Sequence, residues 1–474
     1  MTVMVPRPDA APDASATSAA SAASSAPAGP PGPATTGGFA GSAGSLHEAV
    51  AEVRRRFAAR RPRSAALHTR AAAVMPGGNT RTVLFHEPFP LRVSHAFDAR
   101  IVDADGIEYV DLLGDYTAGL LGHSAAPIQA AITQAAAGGL SFGAHGRREV
   151  ELAELVCRRF PAIESVRFTN SGTEANLMAV ATARVATGRS DVVVFDGGYH
   201  GGLLSFGGGG SPLNAPYPFH VATYNDLDSV TAVFAEHGSR IAAVLVEPML
   251  GSGGCLPAAA GFLDGLRRLT SGHGALLIAD EVMTSRLSPT GAADAAGVRP
   301  DLLTLGKYVG GGMSFGAFGG AADVMARFDP SRPGALAHAG TFNNNVLSMS
   351  AGVAALTEVY PPELAVTHNR RGDELRARLN AVCASREVAV HITGQGSLMN
   401  VHPLAGPLAS VAALAAADDR RRELLYLDLL EAGCYIARRG FIALSLALTD
   451  ADLDHFVAAF DDVLTSRRPL FAEV

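Results

Sequence analysis

Lysine is almost absent from this sequence: of 38 basic residues in 474, 37 are arginine and a single one, Lys307, is lysine. Tryptophan is missing altogether, and cysteine is scarce. The four cysteines (Cys157, Cys255, Cys383 and Cys434) are widely spaced, with no CxxC pair and no Cys/His cluster. That pattern argues against a metal site or a disulfide framework and points to a reducing compartment. The formal net charge is -7, which argues against nucleic acid as a partner. No apolar run approaches the ~20 residues of a membrane span. The start, Met1 to Pro6, leads into no apolar stretch of signal-peptide length. The expectation is a cytoplasmic protein. With 48% hydrophobic and 18% charged residues, the chain is long enough for two domains and a large core.

Residues 1–45 are almost all Ala, Ser, Pro and Gly and cannot bury a core, so a disordered tail is expected there. Ser45 and Glu48 form a capping-box pattern that opens a helix through Arg60. Pro62 is expected to end it, with a second helix over 64–75. Val83, Phe85, Phe89 and Leu91 suggest extended apolar segments, and 100–113 reads as a hairpin turning at Asp105-Gly106. Helices are expected at 126–137 and 147–160. β-Branched and leucine-rich runs then recur at 166–168, 192–195, 241–246, 276–279 and 302–305, with helical stretches between most of them. That alternation predicts an α/β fold with a mostly parallel sheet covered on both faces. Such sheets hold ligands at the carboxyl ends of their strands. A long helix after Val346 is expected to cross to a final α+β region with strands near 387–392 and 440–446.

Lys307 follows the apolar run 302–305 within Gly306-Lys-Tyr-Val-Gly-Gly-Gly312. A chain that uses arginine everywhere else is not using this lysine as a surface cation. Lysine can lose its proton on burial and attack a carbonyl, which arginine cannot do. The chemical reading is a Schiff-base lysine for an aldehyde cofactor. Other strand ends carry matching parts. Asn170-Ser171-Gly172-Thr173-Glu174-Ala175 opens a helix after a strand, the arrangement of an anion site or of a plain helix cap. Asp280, at the end of 276–279, suits a pyridinium N–H or a caged structural acid. Tyr199, in a glycine-rich loop with His200, is free to stack on a flat ligand. Glu247 ends 241–246 and can order the site. Gly340-Thr341-Phe342-Asn343-Asn344-Asn345 precedes another helix. Taken together these are the parts of a pyridoxal-phosphate site.

On those motifs, and over nearly everything after residue 46, the chain resembles the class III aminotransferases of the type-I pyridoxal-phosphate fold. Pro76-Gly-Gly78 and the Gly-Lys-x-x-Gly-Gly-Gly run resemble the glutamate-1-semialdehyde aminomutase branch. Asn79 to Phe85, Gly306 to Phe318, Gly340 to Asn345 and Arg439-Gly-Phe441 are most similar to the β-phenylalanine aminotransferases. The resemblance implies a large cofactor-binding domain at 114–360 and a small α+β domain built from 46–113 and 361–474. It implies that Lys307 carries pyridoxal 5'-phosphate and shuttles the proton, and that Asp280 pairs with the ring nitrogen. Val282 and Tyr199 then cover the two ring faces, while Ser171, Gly172 and Thr173 hold the phosphate. Thr341 would reach the phosphate of a neighbouring subunit in a homodimer with shared sites. Arg81 would bind the carboxylate of a β-amino acid, and Arg439 the α-carboxylate of glutamate and 2-oxoglutarate, although Arg438 beside it is the same residue type. Val83 and Phe85 would wall an aromatic pocket.

The implied reaction is transfer of the amine of an aromatic β-amino acid to 2-oxoglutarate, with an aminomutase as the alternative. A nucleotide-binding oxidoreductase built on the glycine loops at 207–210 and 251–254 is a rival of another class. It is the weaker reading, because neither loop joins a clear strand directly to a helix. A catalytically silent protein of the same fold is a third, opposed by the intact Lys307 and Asp280.

Overall fold

The computed structural model describes residues 44–472. The expected disordered tail therefore lies outside the described residues, except for Gly44 and Ser45. Seven strands form the central sheet: β1 (Ser165–Thr169), β2 (Asp191–Phe195), β3 (Phe219–Ala222), β4 (Ile241–Val246), β5 (Leu276–Asp280), β6 (Leu302–Gly306) and β7 (Gly316–Gly320). Their spatial order is β1-β7-β6-β5-β4-β2-β3. Every residue of β2, β4, β6 and β7 is buried, as expected of strands covered on both faces. Strands β2 to β6 run parallel. β7 is antiparallel to both of its neighbours, β6 and β1. The carboxyl ends of β1, β2, β4, β5 and β6 consequently share one edge of the sheet, and β7 starts there.

Two of these strands, β3 and β7, are not expected from sequence. β7 reads Gly-Ala-Phe-Gly-Gly, a poor strand former by composition. The glycines are there because backbone approaches closely. A Cβ on Gly319 would stand 2.6 Å from the Ser165 carbonyl oxygen, so the pairing and packing of β7 admit no side chain at that point.

Away from the sheet, one apolar cluster joins the two ends of the chain, with Val53, Phe57, Tyr109 and Leu112 packed against Leu375, Leu424, Phe456 and Phe460. The strands Val93–Phe97, Arg100–Asp103 and Glu108–Asp111 are completed by Cys434–Tyr435, which comes from the far end of the chain. A three-stranded sheet, His391–Gln395, Leu398–His402 and Phe441–Ala443, lies in the C-terminal part. The first helix, Leu46–Arg60, carries the expected capping box at Ser45 and Glu48. It is clamped to the helix Asp419–Glu431 by arginine: Arg56 to Asp428 at 2.6 Å and Arg60 to Glu431 at 2.7 Å. Arg386 holds Asp461 through two nitrogens, at 2.6 and 2.7 Å. Such forked contacts need a guanidinium, which gives the arginine-rich composition a structural reason.

Several boundaries differ from expectation. Pro62 starts the second helix, Pro62–Ala72, because proline suits a first helical turn. Thr82–Leu84 is a short 3₁₀ turn rather than an extended segment. The long helix expected after Val346 is interrupted. Val346–Ala354 passes into a π turn, Ala355–Val359, and the chain breaks at Tyr360-Pro361 before Pro362–Arg386. The final strands begin at His391 and Phe441, somewhat later than the composition suggests.

Candidate active site

The carboxyl edge of the sheet gathers the singled-out side chains. After β1, Ser171 caps the helix Gly172–Thr187 by accepting from the Glu174 N–H at 3.2 Å. That helix crosses β4, β5, β6 and β7, so its amino end is fixed over the strand ends. The Thr173 hydroxyl accepts from the Gly202 N–H at 3.3 Å, tying the loop that carries Tyr199 to the helix start. The same loop is tied to β4, because the Tyr199 N–H donates to Glu247 Oε1 at 3.0 Å and the Gly251 N–H donates to Oε2 at 2.9 Å. Glu247 is buried, and burial pushes its carboxyl up to about 7 against those two donors. Tyr199 itself keeps 47% of its surface exposed. A half-exposed aromatic ring on a doubly anchored backbone can take a flat partner.

Asp280 ends β5 with its carboxylate buried. Its Oδ2 accepts from Asn176 Nδ2 and lies 2.8 Å from His200 Nδ1, while Oδ1 accepts from the Val282 N–H at 3.0 Å. Thr304 of β6 joins through Asn176, donating to its Oδ1 at 2.7 Å. The carboxylate is thus held in one orientation by direct contacts from Asn176, His200 and the Val282 N–H. The other ring nitrogen of His200, Nε2, is buried without a partner among the described residues.

Lys307 leaves β6 in the left-handed region, φ 54°, a strained conformation for a residue with a Cβ. Its ammonium makes no hydrogen bond or ion pair among the described residues. Burial holds its pKa below the ordinary lysine value, although the charges of Asp280, Glu247 and Asp115 pull the other way. A lysine whose neutral form is favoured in this way can act as a nucleophile and a proton carrier. Val282 walls the space beside it: a Cβ on Gly172 would stand 2.8 and 3.0 Å from the two Val282 methyls. Glycine is therefore required where helix start, Val282 and lysine converge. A depressed lysine, a fixed carboxylate and a helix start that meets Val282 suit an anionic pyridine aldehyde. The residues present fit that group.

The two arginines expected to read substrate are far apart in sequence and meet at one ring. Arg81 lies 5.4 Å from the centre of the Tyr116 ring and Arg439 lies 5.2 Å from it. Tyr116 stacks on Phe441 with ring centres 5.9 Å apart. Arg81 donates to Asp115 at 2.8 Å, and Arg439 donates to the Ser252 hydroxyl at 2.7 Å. The neighbouring Arg438 faces away, bound to Asp419 at 2.6 Å and Glu423 at 3.2 Å. Of the doubled arginines, Arg439 is the one beside Tyr116. Val83 and Phe85 are both partly exposed near Arg81. Thr341 is exposed and its hydroxyl has no partner among the described residues. Within the same chain its loop touches the helix-start motif through Asn343, which accepts from Asn170 at 3.0 Å.

Asp115, Tyr116, Asn176 and Ser252 are not singled out by sequence. Asn176 carried a signal, as a polar residue one turn into the helix that follows the anion motif. Asp115 and Tyr116 carried none, because their placement depends on a left-handed run of backbone. The glycine loops of the oxidoreductase reading do not form a dinucleotide turn. Gly207–Gly209 is a 3₁₀ turn, and 251–254 links the two short strands Met249–Leu250 and Leu256–Pro257. Among the described residues no group of His, Cys, Asp and Glu could hold a metal ion, and no helix is long and apolar enough to cross a membrane.

Comparison with known proteins gives consistent matches. The family model for aminotransferase class-III matches residues 85–464. A beta-phenylalanine transaminase of Variovorax paradoxus is 53% identical over 415 residues, covering 88% of this chain and 95% of that protein. A crystal structure of a beta-phenylalanine aminotransferase from Variovorax paradoxus superposes with a TM-score of 0.89 at 51% identity, covering 91% of this chain and 100% of that one. A glutamate-1-semialdehyde 2,1-aminomutase of Sorangium cellulosum is more distant, at 38% identity over 430 residues, 86% of this chain and 97% of that protein.

Proposed function

The chain belongs to the class-III aminotransferases, which are pyridoxal-phosphate enzymes of fold type I, and from that premise we propose that it transfers the amine of an aromatic, β-phenylalanine-like β-amino acid to 2-oxoglutarate, giving a β-keto acid and glutamate. The observation that carries this reading is the pair of guanidiniums, Arg81 and Arg439, set on one ring, Tyr116. The two substrates hold their carboxylates at different distances from the reacting carbon. Two separated forks within one site answer that requirement. The 53% identity to a protein named as a beta-phenylalanine transaminase supports the same choice of donor.

Pyridoxal phosphate, when bound, supplies an aldehyde that takes up the amine and a ring that stores the electron pair left when the proton departs. Ser171, Gly172 and Thr173 would hold its phosphate at the helix start. Val282 and Tyr199 would cover its two faces. Asp280, fixed by Asn176, His200 and the Val282 N–H, keeps a proton at the ring nitrogen. Glu247 holds the Tyr199 loop in place. Lys307 Nζ, favoured by burial as the neutral amine, takes the proton from the amine-bearing carbon and passes it on. In the second half-reaction the same amine would deliver a proton to the carbon of the oxo acid that becomes the amine-bearing carbon of glutamate. Arg81 binds the carboxylate of the β-amino acid, with Val83 and Phe85 beside its aryl group. Arg439 binds the α-carboxylate of 2-oxoglutarate.

The reading extends to assembly. We place 114–360 in a large cofactor-binding domain, with 46–113 and 361–474 forming the small one. A homodimer with shared sites is favoured by the exposed apolar side chains Leu140, Phe142 and Phe342. In it, Thr341, whose hydroxyl has no partner among the described residues, would reach the neighbour's phosphate. Four free thiols suit a cytoplasmic enzyme. The test is spectral. β-Phenylalanine added without acceptor should bleach the visible cofactor band of the holoenzyme, and 2-oxoglutarate should restore it. An unchanged band, together with isomerisation of glutamate-1-semialdehyde without any acceptor, would overturn this reading in favour of an aminomutase.

A further inference from the structure

The only hydrogen-bond partner of the Arg81 side chain among the described residues is a carboxylate of the same chain, Asp115. The contact is one-pronged: NH1 donates to Oδ1 at 2.8 Å, and the other guanidinium nitrogens are left over. The Asp115 carboxylate in turn has no other hydrogen bond among the described residues. It is held out by unusual backbone. Gly114, Asp115, Tyr116 and Thr117 follow one another with φ of 51°, 43°, 51° and 82°, all in the left-handed region although three of the four are not glycine. Packing on both sides holds that run in place. The Tyr116 ring is stacked on Phe441 and flanked by both guanidiniums, and Thr117 is buried. The charge of Asp115 is also felt at Lys307, so the half-exposed carboxylate lies within electrostatic range of the reacting centre.

We propose that Asp115 is an internal carboxylate that occupies Arg81 between turnovers and competes with the substrate carboxylate for it. The proposal rests on the reading of Arg81 as the residue that binds the β-amino acid. Arg81 and Asp115 are 47% and 54% exposed, so their pairing is weak and readily displaced. A substrate carboxylate that engages two guanidinium nitrogens outcompetes a one-pronged neighbour. Asp115 therefore discounts the affinity of every acid that reaches Arg81 and penalises most those that reach only one nitrogen. It prevents a bare guanidinium from trapping small carboxylates, and it favours release of the acidic product. Binding energy common to substrate and product is lowered, which a transferase working in two alternating half-reactions can use. Asp115 is thus a specificity-determining residue acting through Arg81.

The probe is 3-phenylpropanoate, which carries the aryl group and carboxylate but no amine, titrated into holoenzyme by calorimetry. Asp115→Asn keeps the size of the side chain and tolerates the left-handed backbone. Asp115→Gly serves as a second variant in case the amide disturbs the loop. Both should bind 3-phenylpropanoate about 2- to 5-fold more tightly than the parent, the scale of an exposed ion pair. The KM for β-phenylalanine should fall in the same proportion. Arg81→Gln should weaken binding, and in that background Asp115→Asn should have no effect. Unchanged or weaker binding by both Asp115 variants, with Arg81→Gln still impaired, would overturn the proposal and leave the carboxylate role of Arg81 standing. No effect of Arg81→Gln would overturn that underlying reading and this proposal with it.

Discussion

Replacing Lys307 by arginine offers an unusually clean experiment, because the chain has no second lysine. The substitution keeps length and charge beside Asp280, Glu247 and Asp115, the carboxylates that act on this position. The lysine ammonium makes no hydrogen bond or ion pair among the described residues, so none of these is lost, and melting should stay within a few degrees of the parent. Activity should not survive. At pH 8 an ordinary lysine is ~0.4% neutral, whereas an arginine is ~0.003% neutral or less. That difference of about two pK units corresponds to roughly 3 kcal/mol in the availability of a free base. Burial of Lys307 widens it, because the amine already sits below its ordinary value. Turnover of Lys307→Arg should therefore fall below ~1% of the parent from protonation alone. Its inability to capture an aldehyde should lower it further. Borohydride treatment of the parent with cofactor should fix one cofactor per chain, in the peptide that contains Lys307, and none on any side chain of the variant. Turnover above ~1%, or side-chain labelling in the variant, would refute the argument.

Other outcomes follow from the same geometry. Gly172→Ala places a methyl within 3.0 Å of both Val282 methyls and should weaken cofactor binding about 10-fold. Adding Val282→Ala should restore most of it, as read by absorbance titration, and normal binding by the single variant would show that the wall does not touch the cofactor. Arg439→Ala should raise the KM for 2-oxoglutarate by ~10- to 150-fold, the worth of a charged hydrogen bond. Arg438→Ala should instead lower the melting temperature, since it releases Asp419 and Glu423; a reversed pattern would exchange their roles. Glu281 is buried, and burial raises its carboxyl from 4.5 to about 7 despite N–H donors from Ala292 and Ala293. A raised folded value means that its stabilising contribution is complete below ~4.5 and is lost as pH rises through about 7. That loss is about 3 kcal/mol. The parent should melt lower at pH 8 than at pH 5, and Glu281→Gln should flatten that slope; equal slopes would place the pH dependence elsewhere.

Local rules made a large part of this protein legible. The apolar runs at β2, β4, β5 and β6 are continuous and flanked by helices, so strand, burial and parallel pairing follow from composition. The capping box at Ser45 and Glu48 marks a helix start with no help from the rest of the chain. Asp280, Lys307 and the 170–175 motif could be placed at strand ends because each lies just beyond an apolar run. The solitary lysine could be assigned a chemistry because its alternative, arginine, cannot perform it.

What tertiary structure decided depends on contacts between distant residues. β7 was hidden because close approach to β1 and β6 requires glycine, and glycine erases the composition by which a strand is recognised. The break at Tyr360-Pro361 lies inside a helical pattern, and its π turn is set by packing rather than propensity. Arg438 and Arg439 are equivalent on paper; Asp419 and Glu423 claim the first, and Tyr116 with Ser252 claims the second. Asp115 and Tyr116 are ordinary residues until the backbone turns left-handed at both. By itself the sequence determined the strand-end position of Lys307 and the sheet that carries it, because those follow from residue type and local periodicity. Only the folded chain decided which carboxylate and which ring meet Arg81 and Arg439, because a left-handed run of backbone sets Asp115 against Arg81 and the fold carries Arg439 to Tyr116 from the far end of the chain.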